Sequence, residues 1–145
     1  MKIVPLSAAH FDQWQELYAG YAEFYKTPLP TKTMETVWQW LNENKLRGLC
    51  AEQEDNTLAG IAHWAPVLRP LHGAPLGYLH DLFVIPQARG AGVGAQLVAA
   101  AARDAHKEGC AVLRWATAAD NQTAMRLYDR IAKKTKWVIY EQDAG

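Results

Sequence analysis

Residues Tyr78 to Ala95 read YLHDLFVIPQARGAGVGA, and this stretch decides the fold. Tyr78 to Ile85 is dense in aromatic and β-branched residues, which predicts a strand. Pro86 ends it, since proline has no N–H to give a ladder. Gly90, Gly92 and Gly94 follow at alternate positions, and behind them Leu97, Val98, Ala101 and Ala105 recur at helical spacing. A glycine loop that opens a helix presents unpaired N–H groups at the positive end of the helix dipole, which makes a phosphate site. Glycine suits such a loop because a side chain would hold the ligand away from the backbone.

Context excludes two familiar phosphate fingerprints. Gly90, Gly92 and Ala95 nominally satisfy G-x-G-x-x-G/A, but the dinucleotide form needs a strand running straight into the first glycine and an acidic residue about 20 positions on. Here Pro86 to Arg89 intervene and position 110 is Cys. A Walker loop is excluded because no Lys-Ser or Lys-Thr follows the glycines. The form that fits is Q/R-x-x-G-x-G/A at Gln87-Ala88-Arg89-Gly90-Ala91-Gly92. It resembles the acetyl-CoA pyrophosphate loop of the GNAT superfamily of N-acetyltransferases. The resemblance implies that acetyl-CoA is the acetyl donor and that Gln87, Arg89, Gly90, Ala91, Gly92, Val93, Gly94 and Ala95 meet it.

With 145 residues, the chain is expected to be one domain with a real core. Acidic and basic residues balance at 15 each, which gives no support for a nucleic-acid partner. There is no apolar run long enough to span a membrane and no signal-peptide pattern. Cys50 and Cys110 each read as buried free thiols in a predicted strand, which fits a reducing, cytoplasmic setting. No Cys/His cluster has zinc spacing, so no metal is expected.

In chain order, Ile3-Val4 is a short strand, and Ser7 can cap the next helix. In that helix Trp14, Leu17, Tyr18, Tyr21, Phe24 and Tyr25 form one stripe. It reads as core packing, with Tyr21 and Tyr25 as candidate walls of a substrate cleft. A second helix is predicted near Thr33 to Asn44. Gly48 to Glu54 and Leu58 to Val67 read as a hairpin around Asp55-Asn56, and Leu68 to Gly77 as an exposed loop. After the central strand and its helix, Ala111 to Thr117 is a strand that completes a parallel crossover. Asp120-Asn121 caps a helix, and Lys136 to Gln142 closes the chain as a strand. The expected class is α/β (α+β) with a mixed sheet.

That order resembles the GNAT fold across nearly the whole chain, which implies a sheet splayed at its middle strands with helices on both faces. DLFV before the loop and N-x-x-A-x-x-L-Y at Asn121 to Tyr128 resemble the spermidine/spermine, lysine-analogue and histone enzymes. The tail departs from the family pattern, having room for one strand after the last helix rather than two.

Acetyl transfer from a thioester to an amine requires donors for the developing oxyanion, a base and an acid. The resemblance implies that backbone groups of Leu82, Phe83 and Val84 hold the pantetheine arm and acetyl oxygen, and that Asn121 contacts the cofactor. An alkyl ammonium has a pKa of about 10.4, so freeing the amine at pH 7 costs about 4.6 kcal/mol. Strict alternation would put Tyr78, His80 and Leu82 on one face and Leu79, Asp81 and Phe83 on the other. His80 stands where the polyamine enzymes carry a glutamate. It is either the base or a satisfied strand histidine, and Asp81 beside it organises backbone or substrate. Tyr128, two turns and roughly 10 Å beyond Asn121, is the candidate acid for the departing thiolate, and alone it would read as a core tyrosine.

The leading reading is direct acetyl transfer, in a ternary complex, to a primary amine of a small molecule: a polyamine, lysine analogue or amino acid. Alternatives are a protein lysine or N-terminal acceptor and, from another class, a catalytically silent acyl-CoA-binding module. The apolar Trp137-Val138-Ile139-Tyr140 near a sheet edge predicts a homodimer.

Overall fold

Strand β1 (Lys2–Pro5) leads through a short 3-10 turn into α1 (Phe11–Phe24). The Ser7 N–H opens that turn by donating to His10 Nδ1 at 3.0 Å. The computed structural model describes residues 1–145. Helix α2 (Thr31–Asn42) follows, then β2 (Arg47–Glu52) and β3 (Leu58–Arg69). Their hairpin turns where predicted, with Asn56 at φ 67° and the Thr57 N–H held by Asp55 Oδ1 at 3.1 Å. Strand β4 (Ala74–Val84), α3 (Val93–Lys107), β5 (Leu113–Arg114) and α4 (Gln122–Ile131) complete the order. The sheet is mixed, in the order β1-β2-β3-β4-β5, antiparallel except for the β4–β5 pair.

Each sheet face carries its own core. On one, Leu97, Val98, Ala101 and Ala105 of α3 meet Ala51, Ala62, Trp64 and Leu79. On the other, Trp14, Leu17 and Val37 of α1 and α2 meet Cys50 and Ile61. Leu97 is wholly buried, worth about 1.5–3 kcal/mol for a side chain of this kind. Next to the glycine loop, a Cβ on Gly94 would lie 3.3 Å from Leu127 Cδ2, so its absence lets α4 pack against the first turn of α3.

Three expectations are corrected. Leu68 to Gly77 is not a loop: β3 and β4 pair continuously to Arg69↔Ala74, and the turn needs only Pro70–His72 and Gly73 at φ 61°. The strand expected over Ala111 to Thr117 shrinks to Leu113–Arg114. No strand forms over Lys136 to Gln142. Its residues find no partner within the chain, and Trp137, Val138, Ile139 and Tyr140 are all more than two-thirds exposed.

Candidate active site

The sheet opens where the chemistry needs it. β5 pairs with β4 only at Gly77↔Leu113 and Tyr78↔Arg114, so from Leu79 onward β4 has no partner on that side. Ile85 N–H donates to Ala59 C=O of β3 at 2.9 Å. Peptide groups alternate along a strand, so those of Phe83 also point at β3, while those of Leu82 and Val84 face the gap. This corrects the expectation for Phe83, whose backbone is spent inside the sheet. Its ring instead stands edge-on to Tyr21 at 6.1 Å.

The gap runs on into the glycine loop. Gly90 and Gly92 adopt φ 85° and 82°, left-handed values open to glycine. Gly92 is the N-cap of α3 and supplies no side-chain bond, so the first-turn N–H groups of Val93, Gly94 and Ala95 stay unpaired. Gln87 and Ala91 are exposed, whereas Val93 is buried, leaving only its backbone for a ligand. Arg89 turns away from the loop: Nε donates to Val84 C=O at 3.0 Å, and its guanidinium lies 5.7 Å from the Phe24 and Phe83 rings. Its Nη groups alone remain for a phosphate. Asn121 is the N-cap of α4, its Oδ1 accepting from Ala124 N–H at 3.3 Å. Tyr128 stands on α4, its ring T-shaped to Trp115 at 5.3 Å.

The other face of β4 carries a cavity. The β3–β4 register steps from His63↔Asp81 to Trp64↔Leu79, so His80 is the extra residue of a β-bulge. The bulge breaks the expected alternation. Leu79 and Leu82 both pack on the α3 face, while His80 and Asp81 both line a cavity of about 410 Å3 beside α1 and α2. Tyr18, Val37, Trp40, Lys45, Leu46 and Ala65 complete its wall.

Asp81 is the hub of this side. It accepts from Tyr18 Oη at 3.2 Å and lies 2.8 Å from His63 Nδ1, whose Nε2 accepts from Trp14 Nε1 at 2.9 Å. Burial works against its charge, but hydrogen bonds from His63, Tyr21 and Tyr18 outweigh that and hold its carboxyl below the usual value. Burial lowers the His80 pKa, with Asp81 opposing, so the ring is neutral at pH 7. Burial and Asp81 push the Tyr18 and Tyr21 hydroxyls far above their usual range. The Tyr21 and Tyr25 rings stand 4.9 Å apart, but neither lines that cavity. Burial, then Tyr25, raises Tyr128. No group of three His, Cys, Asp or Glu side chains is placed to hold a metal ion.

Sequence reading missed Trp14, Tyr18, His63, Trp40 and Lys45. A signal existed for His63, a lone polar residue in the apolar run Gly60-Ile61-Ala62-His63-Trp64-Ala65. Such a residue needs a buried partner.

Comparison with known proteins decides the family. The Acetyltransferase (GNAT) family model matches residues 14–132. The chain belongs to the GNAT family. It is an N-acetyltransferase with acetyl-CoA as its acetyl donor. It is 28% identical over 135 residues to the D-amino-acid N-acetyltransferase HPA3 of Saccharomyces cerevisiae, covering 91% of this chain and 84% of that one. Among solved structures, a probable acetyltransferase superposes with TM-score 0.89 at 23% identity, covering 100% of this chain and 99% of the other. AAC(6')-Iy in complex with a bisubstrate analogue gives TM-score 0.85 at 21% identity, covering 99% and 98%. The GNAT fold, a mixed five-stranded sheet with helices on both faces, is thereby established, and no helix is long and apolar enough to cross a membrane.

Proposed function

We propose that the acceptor is a small-molecule primary amine that also carries a carboxylate, an amino acid in the simplest case. The observation that carries this reading is the cavity beside the bulge. It offers one carboxylate, Asp81, for an ammonium and one cation, Lys45, between the apolar walls of Val37, Trp40 and Leu46; Lys45 pairs with the Glu43 carboxylate at 2.9 Å on the exposed rim, an ion pair that a substrate carboxylate can replace. A polyamine would need several carboxylates there. The resemblance to a D-amino-acid N-acetyltransferase supports the same class. The test is CoA release with amino acids of both hands, their decarboxylated amines, spermidine and a lysine peptide. We expect kcat/KM for the best amino acid to exceed that for its decarboxylated amine by at least about tenfold, the value of one good charge contact. Faster turnover of spermidine or the peptide would sink the reading.

Within it, the peptide groups of Leu82 and the N–H of Val84 meet the thioester, the Val84 carbonyl being held by Arg89; His80 takes the amine proton and Tyr128 returns one to the thiolate. Transfer is direct. Cys50 is buried with its thiol pushed up to about 12 by burial, and the buried Cys110 is raised too, so neither presents a thiolate to carry the acetyl group. Because His80 must be neutral to accept, and burial moves its titration down, the acid limb of kcat should lie below pH 6.5. It should vanish from the kcat profile of a His80→Gln variant. A limb above pH 6.5 in the wild type would assign the base elsewhere.

The loop would hold the pyrophosphate of acetyl-CoA. Gly92→Glu should lower acetyl-CoA affinity by at least about tenfold, or 1.4 kcal/mol, beyond any loss in Gly92→Ala, which shares the cost of φ 82° but adds no charge. Calorimetry on both folded variants decides, and equal affinities would remove the phosphate from this site.

The exposed Trp137 to Tyr140 and the two-residue β5 together support a homodimer, in which the tail of one copy pairs along the short edge of the other. Light scattering at tens of micromolar should give a dimer mass, and removal of residues 136–145 a monomer. A monomer mass for the full chain would count against it.

A further inference from the structure

Trp14, His63 and Asp81 form a buried chain that ends at the cavity wall. The indole N–H of Trp14 can only donate, and it reaches His63 Nε2 at 2.9 Å. The Nε2 lone pair is therefore the acceptor, and the ring proton sits on Nδ1. That atom lies 2.8 Å from Asp81 Oδ2, so it donates to the carboxylate. A cationic His63 would set an Nε2 proton against the indole N–H, donor facing donor. The contact is thus a neutral imidazole holding a carboxylate, not an ion pair. Both rings are wholly buried at 0% exposure, and His63 sits directly across the register from Asp81, beside the bulge. Tyr18 Oη donates to the same Oδ2. Both of these bonds go to Oδ2, and the Tyr21 hydroxyl is the third donor that faces the carboxylate.

We infer that Trp14 and His63 are positioning residues for the acetyl acceptor: Trp14 fixes the tautomer and turn of His63, and His63 Nδ1–H aims the Asp81 carboxylate into the cavity. This rests on the reading of Asp81 as the group that meets the acceptor ammonium. The groups facing Asp81 are His63 from β3, Tyr18 and Tyr21 from α1, Lys45 after α2, and His80 on its own strand. No second carboxylate lines the wall, and Glu43, paired with Lys45 at 2.9 Å, lies outside it. A role in packing alone would be served by an apolar side chain in place of His63, with no polar chain leading to a cavity.

The test is a carbon-13 titration of the Asp81 carboxyl in the wild type, His63→Leu, His63→Asn and Trp14→Phe, with acceptor KM and kcat measured on each. His63→Leu removes the donor, so the Asp81 midpoint should rise by about 1–2 pH units, the equivalent of one hydrogen bond to a charged group. Acceptor KM should rise about ten- to a hundredfold through misalignment, with kcat within about threefold because the reacting groups are intact. His63→Asn places an amide N–H where Nδ1–H stood and should restore both values. Trp14→Phe keeps a ring and frees His63 to turn, so it should raise midpoint and KM in the same direction; it supplies the same readout where His63→Leu does not fold. An unmoved Asp81 midpoint in either folded variant overturns the inference. A raised midpoint with unchanged acceptor KM instead removes Asp81 from the acceptor site, and with it the reading on which the inference stands.

Discussion

Tyr128→Phe should lower kcat by about 10²- to 10⁴-fold, the usual worth of a positioned acid, while acetyl-CoA affinity stays nearly unchanged. The hydroxyl is the only group removed. The ring keeps its T-shaped contact with Trp115 at 5.3 Å, so the melting temperature should hardly move. A tyrosine whose role is packing normally finds a partner for its hydroxyl when buried, and loss of that bond would show as lost stability. Tyr128 makes no side-chain hydrogen bond to the protein, although it is half-buried. Burial, then Tyr25, raises its pKa above the usual 10, so it carries its proton throughout the working range and can donate to a thiolate. Steady-state kinetics with saturating acceptor, beside a thermal melt, separates the two roles. A fall in kcat of less than about threefold would mean that the thiolate leaves without this hydroxyl.

The parts of the fold readable in the sequence were those set by local rules. The strand ending at Pro86, the glycine loop and the apolar spacing of Leu97, Val98, Ala101 and Ala105 each follow from neighbouring residues, and α3 begins at Val93 as that spacing requires. The errors lie where distant pairing decides. Leu68 to Gly77 looks like a loop because its prolines and glycines are turn residues, yet Pro75 and Gly77 pair with Leu68 and Pro66 across the hairpin. Lys136 to Gln142 has the composition of a strand, but it meets no partner in its own chain, and a strand is defined by its neighbour. The candidate site shows the same division. His80 and Asp81 were readable as residues on the central strand. Their shared outlook was not, because one extra residue at His80 turns a strict alternation into a pair facing one cavity. Nothing local marks that bulge. Nor could Arg89 be placed from the motif: its bond to the Val84 carbonyl depends on where the strand ends relative to the loop.

Asp81→Asn should lower kcat/KM for an amino-acid acceptor by about 30- to several-thousand-fold, the 2–5 kcal/mol lost when one partner of a hydrogen-bonded charge pair is neutralised. Most of this should fall on KM, because in the proposed reaction the carboxylate binds the ammonium before the transfer, whereas His80 and Tyr128 would act on protons during it. The substitution keeps the shape of the side chain, and its amide oxygen can still accept from Tyr18 and His63, so the fold should persist. Its effect on acid stability has a definite sign. The folded-state pKa of Asp81 lies below the usual carboxylate value, so its charge stabilises the fold above about pH 3.9, the unfolded value, and that contribution disappears as pH falls through the lower folded value. Asp81→Asn cannot titrate, and its stability should therefore fall less than that of the wild type as pH drops through this window. Acetyl-CoA affinity should be unchanged, since the glycine loop and the gap beside Leu82 lie on the far side of β4's bulge. A loss in kcat/KM below about threefold, in a variant with the expected flattened acid limb of stability, would leave Asp81 as a structural carboxylate and require another group to hold the acceptor.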